Sequence, residues 1–136
     1  MGVTGFYFYA VSRGTEAMTI RQSVIETALV FPLRHGKRAA LDEFTRALMH
    51  DHREEHDAMH SSVTEERWFV QAAPQGDVVI VYLQGTDPAL VFADLAVSKR
   101  PFAIWFRREV LEITGVDLAL LPPFNLPECI LHRTRG

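Results

Sequence analysis

Cysteine is almost missing from this chain: Cys129 stands alone among 136 residues. A single thiol forms no internal disulfide and supplies no multi-cysteine zinc site. Long apolar runs are missing too, none approaching the roughly 20 residues of a membrane-spanning helix. Nor does one sign of charge dominate, since 14 Lys and Arg face 17 Asp and Glu. That balance speaks against a chain whose main task is to grip nucleic acid or an anionic membrane. No Gly-rich phosphate loop or dinucleotide fingerprint occurs, and His35-Gly36-Lys37 reads as a plain turn. No organic cofactor is therefore expected. What is present, 48% hydrophobic and 23% charged residues, is the composition of one globular domain burying roughly two-thirds of its unfolded surface.

Residues 1–22 are expected to form an N-terminal extension ahead of a domain of residues 23–136. Phe6-Tyr7-Phe8-Tyr9 is an aromatic cluster between glycines, open to two readings: a loose tail or a flap laid over the domain. It lacks the basic start of a signal peptide, and its apolar run is only about six residues. Met18 offers a second translation start. Cytoplasmic residence is expected.

Ser23 to Phe31 is β-branched and apolar and reads as a strand, with Pro32 at its exit. Lys37 to about His60 reads as one long helix, with Leu41, Phe44, Leu48 and Met59 on a buried stripe. Thr64 to Ala73 alternates, placing Glu66, Trp68, Val70 and Ala72 on one face. After the turn residues Pro74 to Asp77, Val78 to Leu83 is apolar on both faces, as in a central strand. Asp87-Pro88 opens a second helical region, with Asp87 as N-cap. The region breaks at Ser98 to Pro101, where Ser98 recaps it, and stops at Gly115. Leu118 to Pro127 is expected as an extended connection, and Glu128 to Arg133 as a short last strand. The order is β-α-β-β-α-β. This predicts an α+β, ferredoxin-like fold: a four-stranded antiparallel sheet with two helices on one face. The bare face carries alternate apolar residues of the Ile25–Phe31 and Val78–Leu83 strands, which points to a homodimer through the open sheet face. Cover by the N-terminal aromatics or the proline-rich connection is the alternative.

This element order, the long polar-ended first helix and Trp68-Phe69 resemble the dimeric α/β-barrel superfamily. Ser98-Lys99-Arg100-Pro101-Phe102 and Gly115-Val116-Asp117 are similar to small bacterial members with no assigned activity. The likeness covers about Val24 to Arg133. It implies a dimeric α/β barrel with a cleft between the sheet and its own helices. The superfamily includes cofactor-free monooxygenases, haem-degrading enzymes and isomerases, but no shared catalytic motif that could be carried to these residues.

The richest stretch is His50 to His60, which holds four of the six histidines. On one continuous helix Leu41, Phe44, Leu48, His52, Glu55 and Met59 share a sector of roughly 80°. The core stripe therefore runs on into imidazole and carboxylate, with His56 at its edge and His60 further round. Either these turns overrun the sheet and are solvated, or they overhang a cleft. In the second case His52, oriented by Glu55, is a candidate general base. His56, Trp68, Tyr82 and Trp105 are then candidate contacts for a small apolar or aromatic ligand. The expected function is small-molecule binding, in its enzymatic form a cofactor-free oxygenase or isomerase. Two alternatives stand beside it. One is a metal-binding module of His52, Glu55 and His56, although no other His/Asp/Glu cluster obviously completes that site. The other is a non-catalytic structural or interaction dimer. Lys99-Arg100 and Arg107-Arg108 read chiefly as a solvated basic face.

Overall fold

Strand pairing begins earlier along the chain than expected and ends sooner. The computed structural model describes residues 4–11, 19–120 and 127–136, with side chains from residue 24 onward. Met18, the side chains of Phe6 to Tyr9 and the Pro122-Pro123 connection lie outside the described residues. The elements are β1 (Thr4–Val11), β2 (Thr19–Pro32), α1 (Arg38–Met49), α2 (Arg53–Met59), β3 (Val63–Gln71), β4 (Val78–Gly85), α3 (Ala89–Val97) and α4 (Pro101–Thr114). The chain is an α+β structure whose antiparallel sheet is centred on β2, β4 and β3, with β1 paired to the outer edge of β2.

Two expectations are corrected. Glu128 to Arg133 carries no strand; the segment is extended and exposed, and β1 takes the place beside β2. The short stretch lacks the alternating apolar run that would hold it to an edge. The single helix from Lys37 to His60 is instead two. β2 begins at Thr19 and runs through residue 22.

The helices cover one sheet face. Leu29 and Phe31 of β2 and Val79, Val81 and Leu83 of β4 point toward them. They meet Leu41, Phe44 and Leu48 of α1, Val91, Phe92 and Leu95 of α3, and Phe102, Phe106, Val110 and Ile113 of α4. Each such side chain contributes about 1.5–3 kcal/mol when fully buried. The other face stays open. Val30 and Phe69 both pair with Ile80, so an apolar row crosses three strands, with Val30 62% and Phe69 48% exposed.

Local chemistry explains the ends. Gly115 sits at φ 79° and donates its N–H to Leu111 O at 2.8 Å, a left-handed C-cap that suits glycine. Pro101 opens α4, where its missing N–H costs nothing. Ser98 Oγ accepts from the Arg100 N–H at 3.3 Å, a turn just ahead of the helix. At α3, Asp87 accepts the Leu90 N–H through its carbonyl, and no side-chain cap forms. Gly85 is required by space: a Cβ there would lie 1.9 Å from the Ser62 carbonyl oxygen. Arg107, expected on a solvated face, is half-buried and ties the carbonyls of Leu95 and Ser98 at the end of α3.

Candidate functional site

The joint between α1 and α2 decides which side chains face inward. His50 and His52 leave helical geometry, and the His52 N–H reaches back five residues to Ala47 O at 2.8 Å. Such a wide turn adds one residue to the helical count, a rotation of about 100°. The stripe expected through Glu55 and Met59 therefore advances by one position. His56 and His60 turn inward and are buried, while Glu55 is exposed.

Both imidazoles meet a carboxylate from the sheet. Glu66 lies on the helix-facing side of β3, as its alternation with Trp68 and Val70 predicts. Its Oε1 is 2.8 Å from His56 Nε2, and its Oε2 accepts from Trp68 Nε1 at 2.7 Å. His60 Nδ1 donates to the His56 carbonyl at 2.9 Å, leaving His60 Nε2 at 3.6 Å from Glu66 Oε2. The two imidazole rings stand 3.9 Å apart. Among the described residues, His56, His60 and Glu66 are the metal-capable group whose ligand atoms all fall within 4.8 Å of one another. The sequence signal for Glu66 was a carboxylate on an otherwise apolar strand face. Nothing local signalled that two histidines would reach it.

Burial pushes the His60 imidazole down, against the attraction of Glu66, and it is neutral near neutral pH. Burial pushes the Glu66 carboxyl up. The His56 hydrogen bond, the nearby imidazoles and the Trp68 N–H outweigh it, so the net direction is down and the group is ionised. Since an ionised carboxylate only accepts, His56 Nε2 carries the hydrogen between them. In neutral His56 that leaves Nδ1, buried and without a partner, as a bare lone pair.

Both shifts have the same consequence for stability. In each case the folded chain binds protons less readily than the unfolded one, so stability is present at higher pH and lost as pH falls. We expect the loss to begin below the ordinary imidazole value of 6.5 as the unfolded-state His60 charges. It should deepen below the ordinary carboxyl value of 4.5 as Glu66 follows. Urea midpoints between pH 8 and pH 4, in a buffer containing chelator, check this. A flat profile from pH 7 to pH 5 would contradict the placement of His60.

The cluster borders two spaces. Inside, between sheet and helices, a cavity of about 40 Å³ is lined by apolar side chains together with His60, Glu66 and Thr114. Outside, an open groove of about 560 Å³ runs between α1, α2 and β3. Leu41, Leu48 and Val70 line its walls, His56, Glu66 and Trp68 its depth, and Arg38, Asp42 and Asp57 its rim.

The other candidates are dispersed. His52 and Glu55 do pair, Nδ1 to Oε1 at 2.9 Å, yet the pair stands outside the groove. The His52 ring lies over Trp105 at 4.2 Å and near Phe102 at 5.7 Å. Trp105 in turn packs on Phe44 at 5.3 Å. Tyr82 is on the opposite sheet face, where its O–H donates to Glu26 Oε2 at 2.6 Å. Partial burial and that carboxylate push the phenol up to about 12. Of the candidates, the structure brings His56 and Trp68 together, through Glu66. Compared with known proteins, the chain matches no family model, no curated protein and no solved structure.

Proposed function

We propose that this chain binds a small, largely apolar molecule in the groove between α1, α2 and β3. The observation that carries the reading is the buried His56–Glu66 pair deep in that groove, beside the indole of Trp68. The interior cavity has room for about one water molecule, so a ligand lies against the helix layer rather than beneath it. Apolar walls with a few convergent polar groups suit a flat molecule carrying one ionisable oxygen. In the enzymatic form of this reading, the chemistry is a proton shift that uses no organic cofactor. Glu66 holds His56 in one tautomer and Nδ1 serves as the base, reached once the groove side chains part. His52 and Glu55 have no part in it, because their pair lies outside the groove, with His52 against Trp105.

The reading includes a ferredoxin-like ancestry and a two-fold pairing through the open sheet face, with the Val30–Ile80–Phe69 row at its centre. The C-terminal segment borders the Glu26 and Gln84 end of that face and leaves the apolar row exposed.

A panel of phenols and aromatic carboxylates, followed by NMR shift mapping on metal-free protein, tests the groove. Shifts are expected at the Trp68 indole N–H, Val70 and Thr45. Shifts confined to Tyr82 and Glu26, or none across the panel, would remove the groove as the binding site.

A further inference from the structure

The protons around Glu66 do not match the lone pairs that converge there. His60 has given its Nδ1 hydrogen to the His56 carbonyl, so its neutral Nε2 presents a lone pair to Glu66 Oε2 at 3.6 Å. That is an acceptor facing an acceptor. His56 has one hydrogen to place in its neutral form; the carboxylate takes it, and Nδ1 is left buried and unpaired. Protonating His56 instead gives Nδ1 a hydrogen with no acceptor. Either way a polar atom on a side chain nine-tenths buried lacks a hydrogen-bond partner. A cation between the three donor atoms, which lie within 4.8 Å of one another, would resolve the conflict at Glu66 by taking both Nε2 lone pairs and the carboxylate, while His56 Nδ1 carries the hydrogen and stays unpaired.

We infer that His56, His60 and Glu66 form a binding site for one divalent transition-metal ion, of the zinc or iron(II) class. The donor set decides the class. Imidazole with carboxylate and no thiolate suits zinc in sites that activate water and iron(II) in sites that use oxygen. In a tetrahedral site with bonds of about 2.0–2.1 Å, ligand atoms stand roughly 3.3 Å apart. The observed 2.8 and 3.6 Å bracket that spacing, and with all donor atoms within 4.8 Å of one another the side chains close by up to about 1.5 Å on binding. The supporting shell is already in place. The His60 Nδ1–H is anchored on a backbone carbonyl, and the Trp68 N–H fixes the Glu66 carboxylate, the arrangement that orients metal ligands. The groove offers the way in, past exposed Asp57 to His56 and Glu66. Three protein ligands leave at least one position for water or a groove ligand. The site shares residues with the groove reading but needs no molecule in the groove.

Surface histidines are the main source of false positives, because His50 and His52 lie at the joint just ahead of α2. The test therefore uses tag-free full-length protein, stripped with chelator and titrated with Co²⁺ alone. One Co²⁺ per chain is expected, with visible absorption bands that Zn²⁺ abolishes. Paramagnetic shifts in the native chain should centre on His56, His60 and the Trp68 indole N–H. Glu66→Gln and His60→Gln should each weaken binding by at least about tenfold, while His52→Ala leaves it unchanged. Should these variants fail to fold, the paramagnetic map of the native chain decides by itself. Absence of stoichiometric binding, or shifts centred on His52 and Trp105, would overturn the site. Organic probes shifting Trp68 in chelated protein would in that case leave the groove reading standing.

Discussion

Replacing Glu66 by alanine is expected to lower the unfolding free energy by about 3–5 kcal/mol. The carboxylate accepts from His56 Nε2 and from Trp68 Nε1, and both donors lie at the partly dry boundary between groove and core. Removing it strands both donors and takes away the carboxylate that faces His60 Nε2. The loss comes less from the attraction that disappears than from the desolvated groups left behind. Replacing Glu66 with Leu and His56 with Phe together should recover much of it, because the donor is removed with the acceptor. Urea denaturation of the three chains, with equal m-values, is the measurement. A loss below about 1 kcal/mol would place Glu66 with ordinary solvated surface pairs.

The second large effect concerns the open sheet face. If two copies pair across the Val30–Ile80–Phe69 row, Phe69→Asp puts a carboxylate at the centre of that interface. Burying one unpaired charge there costs on the order of 2–5 kcal/mol, which weakens the dimer by roughly 30-fold to several thousand-fold. Sedimentation velocity at micromolar concentration should show a dimer for the native chain and a monomer for the variant. Phe69 is half-exposed and points away from the helices, so the circular dichroism of the monomer should be unchanged. A native chain that sediments as a monomer over the same range removes the pairing.

The elements that pattern could reveal are those whose residues answer to one local environment. Leu41, Phe44 and Leu48 face the core because a single helix turns them there. Glu66, Trp68 and Val70 share a face because a strand alternates. The antiparallel β3–β4 hairpin follows from Pro74 to Asp77 and two apolar runs. What escaped depends on distances along the chain or on backbone detail. The wide turn at His52 is a matter of one hydrogen bond to Ala47, and no side chain announces it. With it went the prediction that His52 and Glu55, rather than His56 and His60, continue the stripe. Glu128 to Arg133 looked like a strand because Cys129, Ile130 and Leu131 are apolar, but edge pairing depends on the partner as much as the composition. Of the two aromatics expected near His52, Trp105 stacks on it and Tyr82 lies behind the sheet.

The extra residue at the α1–α2 joint also acts as a phase setting. Upstream of it, substitutions alter how firmly the layer adheres to the sheet; downstream, the two imidazoles travel together on a short rotor. Inserting a single residue beside His50 or Asp51, with the wide turn kept, would swing that rotor by about a quarter turn and present Glu55 and Met59 to Glu66 instead. One codon of length thus separates a chain with paired imidazoles at its carboxylate from one with none, while the apolar contacts of α1 stay as they are.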